Sequence, residues 1–116
     1  MHVEFAKTGA QNNASLIAGP GIGEGPLDDE NNPTDLPKEI VVLEGSFSVS
    51  ADAVVTLSKG DAAADTNIFK RSVLGKTNVE IRGPFPLGAN VPLKLTTSTG
   101  DINGTIRYIV RRVLSA

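Results

Sequence analysis

Residues 41–50 of this chain read VVLEGSFSVS, which is the strongest strand signal in the sequence. Apolar side chains occupy the odd positions Val41, Leu43, Phe47 and Val49, whereas Glu and three Ser occupy the even positions from 44 onward. Alternation over this length is typical of a β-strand with one buried and one exposed face. We therefore expect a strand whose odd-numbered residues face a core.

Shorter runs of the same kind follow this strand, and each ends at a group of Gly, Pro, Asn or Asp residues. They lie at residues 53–57, 67–74, 77–82, 91–96 and 102–110. Turn signals at intervals of about 8–12 residues predict an all-β chain, folded as a small antiparallel β-sandwich or jelly-roll-like barrel. No run follows the helical period over a useful length.

The order of these runs also predicts which strands pair. A short turn separates residues 41–50 from residues 53–57, and another separates residues 67–74 from residues 77–82. We therefore expect hairpins at 41–57 and 67–82. Residues 83–88 contain two prolines, which lack ladder donors, and are predicted to connect strands rather than to form one. The predicted core consists of Val41, Leu43, Phe47, Val49, Val55, Leu57, Val79, Ile81, Leu93, Leu95, Ile106, Tyr108 and Val110.

Residues 1–37 differ from the rest of the chain. Gly, Pro and Asn are frequent, especially at 19–26 and 31–33, and only 14–18 has the composition of a short strand. Such a composition disfavours compact elements. We therefore expect residues 1–37 to form an extended irregular N-terminal arm that lies away from its own core and contacts another chain. Residues 38–116 are expected to form the sandwich domain.

The composition leaves little material for a catalytic or metal site. The 116 residues include no Cys, no Trp and a single His, so disulfides and thiolate sites are excluded. The Gly-rich run 19–25 is followed by Pro and acids, unlike a phosphate-binding loop. Residues 28–39 have the oxygen spacing of a calcium loop, but Pro33 stands where that loop requires Gly. We expect no catalytic residue, no cofactor and no metal ligand, although a structural cation in the acidic stretch stays open.

Charge is distributed unevenly along the chain. Residues 1–40 hold seven acids and two bases, a balance of −5, whereas residues 41–116 hold six acids and nine bases, a balance of +3. An acidic arm beside a basic body favours contact of the arm with its own domain, with a neighbouring copy or with another basic surface. The alternative is that the acids only keep loops solvated.

Two segments form the candidate partner-binding site. The outer face of the last strand is predicted to present Arg107, Ile109 and Arg111, an apolar side chain between two guanidinium groups that suit carboxylates. The acidic run Asp28-Asp29-Glu30 of a neighbouring chain is their predicted partner. The alternative is that these arginines only keep an edge strand soluble.

Other classes of partner are disfavoured. The chain holds only four Phe and one Tyr, and these do not alternate with its basic residues. Sheets that bind nucleic acid stack bases on exposed aromatic side chains, so we expect no nucleic-acid partner. No apolar run approaches the roughly 18 residues of a membrane span, and the first residues lack the segments of an export signal. We expect neither a membrane partner nor secretion.

The segment 36–57, LPKEIVVLEGSFSVSADAVVTL, and three later features together resemble small structural proteins of tailed bacteriophages. In that pattern two strands precede a connection containing Pro and Phe, here residues 83–90, GPFPLGAN. A strand of the kind found at 91–96 and a closing Gly-x-x-x-Tyr strand, at 104–108, complete it. The resemblance is one of pattern and does not extend to the N-terminal arm.

The resemblance implies a non-enzymatic virion β-sandwich of the head decoration, or cement, type. Such a protein is made in the host cytoplasm, binds the outer surface of the major capsid protein shell as a homo-oligomer, here expected to be a trimer, and stabilises the capsid. Two other hypotheses stay open: a tail or fibre β-sandwich that recognises host glycan, and a small carbohydrate-active or metal-dependent enzyme. Scarce aromatic residues disfavour the first, and the single His and scattered acids disfavour the second.

Overall fold

The computed structural model describes residues 1–61 and 63–113, apart from the side chains of Glu24, Pro26 and Pro33. These residues form nine β-strands and one turn of 3₁₀ helix, Ala64–Thr66. The strands are β1 (His2–Lys7), β2 (Gln11–Ile17), β3 (Ile22–Leu27), β4 (Pro33–Val49), β5 (Ala53–Lys59), β6 (Asn67–Val73), β7 (Asn78–Ala89), β8 (Leu93–Thr97) and β9 (Ile102–Arg112). The last three residues of the predicted sandwich domain, 114–116, lie outside the described residues.

The strands form two antiparallel sheets that pack against each other. The front sheet has the order β1-β9-β4-β3, and β7 also pairs with β4. The back sheet has the order β2-β8-β5-β6. One apolar core contains side chains from both sheets. The predicted all-β class and small antiparallel β-sandwich are confirmed.

The strand pairing is nested along the chain. With β3 set aside, β1 pairs with β9, β2 with β8, β4 with β7 and β5 with β6. The outermost strands in sequence thus pair with each other, and so do the innermost, which is the pairing of an eight-stranded jelly roll. Because of this nesting, most links between consecutive strands must cross from one sheet to the other.

Both hairpins expected from the sequence are wrong. β4 and β5 lie in different sheets, as do β6 and β7. The links that follow β4 and β6 cross between the sheets and bond to neighbouring backbone. Ser50 N–H donates to the carbonyl of Asp101 at 2.8 Å, and Lys76 N–H donates to the carbonyl of Val49 at 2.6 Å. A short polar link can join two paired strands of the same sheet, as in a hairpin, or join strands in different sheets. Its length alone therefore does not determine which strands pair.

The N-terminal residues are extended as predicted, but a large part of them belongs to the sandwich. β1 pairs with β9 at one edge of the front sheet, and β2 pairs with β8 at one edge of the back sheet. Phe5 is buried in the core, and Leu16 packs against it. The expectation of an irregular segment that lies away from its own core is therefore corrected, and residues 37 and 38 both lie within β4. Pairing with distant strands overrides the weak local propensity of these residues.

A β-bulge in β4 changes which side chains face the core. The pairing of β4 with both β7 and β9 shifts register within residues 42–44, which leaves Leu43 as the extra residue. Val42 therefore faces the core, whereas Val41 is outside the core cluster and lies cross-strand from Ile109. Leu43 is only partly buried, so the prediction that it belongs to the core is wrong. Val41 is buried as predicted, at 3% exposure, but it lies outside the main core cluster.

The remainder of the predicted core is confirmed. The buried cluster consists of Phe5, Ile40, Val42, Phe47, Val49, Ala53, Val55, Leu57, Val73, Val79, Ile81, Leu87, Leu93, Leu95, Ile102 and Ile106. Tyr108 and Val110 are partly buried against it. Side chains from both sheets meet in this cluster, and the rings of Phe47 and Phe69 are in edge-to-face contact at 5.6 Å between centroids.

Residues 83–88 form the second half of β7 rather than a connection. β7 pairs with β4 alone, so it is an edge strand, and prolines are tolerated there because their missing donors would face solvent. Leu87 is buried in the core from this strand. The prediction was right that this segment cannot be central, but wrong that it is not a strand.

We expect Phe47→Ala to destabilise the protein by about 3–5 kcal/mol, because the side chain is fully buried and contacts Phe69. Ser48→Ala, on the opposite face of β4, should cost under about 0.5 kcal/mol. Denaturant melts of the two variants measure the difference. Similar losses in both would mean that the register of β4 after the bulge is off by one residue.

The position of β1 predicts the effect of a second substitution. Phe5→Ala should cost about 3 kcal/mol, since Phe5 is buried with the core although it lies on an edge strand. Glu4→Ala, on the exposed face of the same strand, is the matched control and should change stability by under about 0.5 kcal/mol. Thermal or denaturant unfolding that is insensitive to Phe5→Ala would show that β1 is not part of the cooperative unit.

Candidate partner-binding surfaces

β3 and the start of β4 form a hairpin that projects from the sandwich. β3 pairs with Pro33–Pro37 of β4, whereas β9 and β7 pair with β4 only from Lys38 and Glu39 onward. The 17 residues of β4 span about 56 Å at a rise of about 3.3 Å per residue. The longest dimension of the molecule is 58 Å, so β4 extends over nearly its whole length. We call residues 22–37 the hairpin arm.

The turn of the hairpin arm is closed by the first acid of the predicted acidic run. The Asp28 carboxylate accepts hydrogen bonds from the backbone N–H groups of Glu30 (2.9 Å) and Asn32 (3.0 Å). Asp28 N–H also donates to the carbonyl of Asn32 at 2.8 Å. Asp28 therefore has a role within its own turn, while Asp29 and Glu30 are exposed. Asn31 adopts a positive φ of 68°, which Asn tolerates better than most residues.

The hairpin arm exposes two large apolar side chains. Ile22 is 63% exposed and Leu27 is 60% exposed. Of the two glycines between them, Gly25 is required by close packing within the arm, since a Cβ at this position would lie 2.5 Å from Cγ of Leu36. Exposed apolar side chains on a projecting element are typical of a surface that contacts another molecule.

Asn90 fixes the base of the hairpin arm to the sandwich. Its side-chain oxygen accepts a hydrogen bond from Gly21 N–H at 2.7 Å, and its own N–H donates to the carbonyl of Lys38 at 2.7 Å. Lys38 N–H donates in turn to the carbonyl of Gly21 at 2.9 Å. The arm is therefore held by backbone bonds at both of its strands and continues the front sheet.

The predicted basic stripe on β9 lies on the exposed face of the front sheet, as expected from alternation. Arg107, Ile109 and Arg111 are exposed. Both arginines already have partners in the same chain. Arg107 Nε lies 3.0 Å from the Glu44 carboxylate, and Arg111 Nε lies 2.9 Å from the Glu39 carboxylate.

The two ion pairs differ in burial. In the pair of Arg107 and Glu44, both side chains are about half exposed, so the pair contributes about 0.2–1 kcal/mol. In the other pair the Glu39 side chain is only 11% exposed, while Arg111 is 55% exposed. Arg111 therefore compensates a carboxylate that the sheet largely buries, which gives it a structural role in addition to its place on the surface.

The structure does not bring the two halves of the predicted site together within one chain. Among the described residues, both salt bridges join β9 to β4, and neither involves the acidic run at the tip of the hairpin arm. The interaction of that run with Arg107 and Arg111 of a neighbour stays a prediction. It would have to compete with Glu44 and Glu39.

A shallow groove of about 400 Å³ lies on the exposed face of the front sheet. It is lined by both signs of charge, with Arg82 and Arg107 opposed by Glu44 and Glu80. His2 lies at its rim, cross-strand from Arg107. The groove thus has no excess of one charge, and no Phe, Tyr or Trp side chain lines it to stack against a sugar or base.

Two further observations concern metal-binding groups and membrane-spanning helices. Within the described ranges, no group of three or more His, Cys, Asp or Glu side chains is placed to hold a metal ion. The described part of the chain also lacks a helix with the length and apolar character needed to cross a membrane.

Comparison of the chain with models of known families, with curated proteins and with solved structures gave no match in any of the three. The likeness to phage virion proteins therefore stays one of sequence pattern. The function has to be argued from the surfaces described above.

The hairpin arm is the main feature that the sequence prediction missed. Its signal was the group of Asp and Asn residues at 28–32, which are common in turns, between two segments of similar length. The glycines and prolines of those segments concealed the strands, because such residues are depleted in most strands.

The bonds of Asn90 predict a local effect of substitution. Asn90→Gly preserves the positive φ of 53° but removes the oxygen that accepts from Gly21 N–H. We expect faster amide hydrogen exchange at Gly21 and along the hairpin arm, with a loss of global stability of about 0.5–1.5 kcal/mol. Amide exchange measured by NMR would test this. Unchanged protection of Gly21 would show that the arm is held without Asn90.

Proposed function

We propose that this protein is a non-enzymatic structural protein of a bacteriophage virion, which decorates the capsid by binding the outer surface of the major capsid protein shell. The jelly roll is an architecture of viral capsid domains, but also of lectins and cupins, so the fold agrees with this role without selecting it. The proposal therefore depends on the surfaces of this chain.

The observation that carries the proposal is the ordered, projecting hairpin arm. It extends β4 beyond the strands that pair with the rest of the sheet, and it exposes Ile22 and Leu27 together with an acidic turn. Its exposed apolar side chains are not used in the chain's own core. An element that is held firmly at its base and exposes apolar and acidic groups suits contact with another protein in an assembly.

The exposed face of the front sheet provides the surface for the shell. In this proposal Arg107, Ile109 and Arg111 contact acidic groups of the capsid rather than the acidic run of a neighbouring copy, with the exposed Ile109 as a small apolar centre. Asp28, Asp29 and Glu30 belong to the other contact, between copies of the protein, which we expect to form a trimer. A trimer binds through three weak sites at once, and this multivalency stabilises its attachment and the shell.

Expected localisation follows from this role. The protein would be made in the host cytoplasm and reside on the outer surface of the capsid in the virion. The competing hypothesis, a tail or fibre module that recognises host glycan, predicts only a few copies per particle. Mass-spectrometric copy number per purified virion therefore separates the two, because capsid decoration requires many copies.

Binding to undecorated capsid shells tests the proposal directly. We expect Arg107→Glu/Arg111→Glu protein to occupy fewer sites than wild type at low salt, and wild-type occupancy to fall as salt rises. A second variant joins Gly23 to Leu36, which are cross-strand partners, through an Asn-Gly turn and so removes most of the hairpin arm. Its occupancy should also fall, since it loses the contact between copies.

Glu4→Gln is the matched control, because it changes one exposed charge on the edge strand β1 of the same sheet and should leave occupancy unchanged. Wild-type protein that does not bind shells at any salt concentration would refute the proposed function. Binding that is unaffected by the double arginine variant would limit those arginines to their ion pairs with Glu44 and Glu39 and place the shell contact elsewhere.

A further inference from the structure

The two edges of the hairpin arm differ in their backbone hydrogen-bonding groups. The first part of β4 forms one edge, and β3, the last strand of the front sheet, forms the other. Along an antiparallel pair, residues that bond to the opposite strand alternate with residues whose N–H and C=O groups point away from it. The bonds at the two ends of the arm therefore determine which groups point to its free edges.

At the base of the arm, Ile22 directs its backbone groups to the free edge of β3. Lys38 N–H donates to the carbonyl of Gly21 at 2.9 Å, which makes these two residues a hydrogen-bonded pair. The next pair, Ile22 with Pro37, is then a non-bonded pair, since the two kinds alternate. The N–H and C=O groups of Ile22 consequently point away from β4.

At the turn of the arm, Leu27 directs its backbone groups to the same edge. Asp28 N–H donates to the carbonyl of Asn32 at 2.8 Å, and the pair of Leu27 with Pro33 directly precedes this bonded pair. Leu27 and Pro33 therefore form a non-bonded pair. Both exposed apolar residues of β3 thus have N–H and C=O groups that point to its free edge.

The opposite edge of the arm is blocked. Of the three β4 residues whose backbone groups face this edge, Pro33, Asp35 and Pro37, two have no N–H to donate. The carbonyl of Pro37 is also occupied, because it accepts a hydrogen bond from Val113 N–H at 2.8 Å. Proline on an edge strand protects that edge from pairing with another chain. β3 is therefore the open edge of the arm.

Ile22 and Leu27 also lie on the same face of the arm. Ile22 is paired with Pro37 and Leu27 with Pro33, and positions four residues apart on β4 belong to one face of the sheet. The bulge in β3 after Glu24 brings Leu27 onto this face. Two apolar side chains and their free backbone groups thus lie at the two ends of one open edge.

We infer that two copies join through the open edges of β3, which pair antiparallel so that Ile22 of each copy lies opposite Leu27 of the other. In this register the N–H and C=O groups of both residues bond across the interface at both ends of the pairing. Each Ile22 side chain also meets a Leu27 side chain on the same face, as a cross-strand apolar pair. The two hairpin arms then form one continuous sheet.

The occupant of the open edge is a second copy because β3 is complementary to itself in this orientation. Reversing the strand exchanges the positions of Ile22 and Leu27, so each free backbone group and each exposed apolar side chain meets a counterpart. An isolated two-stranded hairpin is only marginally stable in water, and a strand added to its open edge stabilises it.

The contact is related by two-fold symmetry, so it is isologous and joins copies in pairs. The trimer expected under the proposed function would then form through other surfaces, and paired arms would link one trimer to the next.

Charge favours the antiparallel orientation of the two arms. Asp29 and Glu30 are exposed in the turn at one end of the arm, and Lys38 lies at the other end. The Lys38 side chain reaches over β3, since a Cβ at Gly23 would lie 2.6 Å from Cε of Lys38. Within the described residues, Lys38 takes part in no salt bridge. Antiparallel pairing places each acidic turn at the end where Lys38 of the other copy lies, whereas parallel pairing would place the two acidic turns together.

This inference deepens the proposed function by naming the groups through which two arms join, and it is tested on purified protein in the absence of shells. Sedimentation equilibrium at about 0.15 M salt, which screens repulsion between two acidic arms, measures self-association. Ile22→Asn/Leu27→Asn protein should associate at least about tenfold more weakly than wild type, because both apolar pairs are lost without a change of charge.

Leu74→Asn/Ile109→Asn protein is the matched control. It also removes one exposed Leu and one exposed Ile, but both lie outside the arm, so it should associate like wild type. Circular dichroism melts of each variant verify that it is folded.

Cross-linking tests the register of the pairing. The natural chain has no Cys, so an introduced thiol is the only one in its chain. Ile22 and Leu27 of the other copy form a hydrogen-bonded pair in this register, with a Cα separation of about 5.5 Å that a disulfide can span. An oxidised mixture of Ile22→Cys and Leu27→Cys proteins should therefore give a linked dimer with one chain of each kind. Neither protein oxidised alone should dimerise at a comparable rate.

Amide hydrogen exchange tests the backbone bonds. Protection of the Ile22 and Leu27 amides should increase with protein concentration, since both N–H groups bond across the interface only when copies pair. Asp35 N–H is the internal control, because it faces the other edge of the arm and should exchange at the same rate at every concentration.

Wild type that stays monomeric at its highest soluble concentration would overturn the inference, as would unchanged association of the Ile22→Asn/Leu27→Asn protein. Single-cysteine proteins that dimerise alone as readily as in the mixture would also overturn it. Monomeric protein that still occupies shells would leave the proposed function standing, and paired protein that never binds shells would refute only the latter.

Discussion

The backbone pairing of β4 is the constraint on which the rest of the structure depends. Its residues from Lys38 onward are paired with β9 on one side and, from Glu39, with β7 on the other. Buried backbone donors and acceptors have to be paired, so these two neighbours fix β4 in the centre of the front sheet. β3 pairs with the part of β4 that precedes its pairing with β7. The hairpin arm is therefore an extension of β4, the strand that is paired on both sides within the sandwich.

The nested pairing explains why the alternation of side chains predicted the fold class but not the connections. Phe47, Val55 and Leu95 show their buried faces in the sequence, because alternation is a local property. The bulge at Leu43 is a single extra residue, and nothing in the composition marks it. β1 was missed and β2 was anticipated only at 14–18, because their partners, β9 and β8, lie far along the chain and their own residues have weak strand propensity.

The same reasoning applies to the surfaces. That Arg107, Ile109 and Arg111 share an exposed face follows from alternation along β9, which contains no bulge in its central part. That Arg107 meets Glu44 and Arg111 meets Glu39 depends on the register between β9 and β4, which the bulge shifts. Sequence therefore predicted the residues on this surface but not their partners, and the partners determine how much of their charge is available to another protein.

The front sheet, the hairpin arm and the back sheet differ in their balance of acidic and basic residues. This difference affects which surfaces of two copies attract each other. In the front sheet, arginines and carboxylates pair within the chain, so that surface is locally neutralised. The hairpin arm contains five acidic residues and no basic one, whereas the charged residues within the four strands of the back sheet are all basic, with Asp52 directly before β5. Such an arrangement contributes more to the choice and alignment of a partner than to the strength of binding, because mispaired elements repel. Since each exposed ion pair is weak and screened by salt, the proposed contact between copies needs the exposed apolar side chains of Ile22 and Leu27 in addition to the acidic turn.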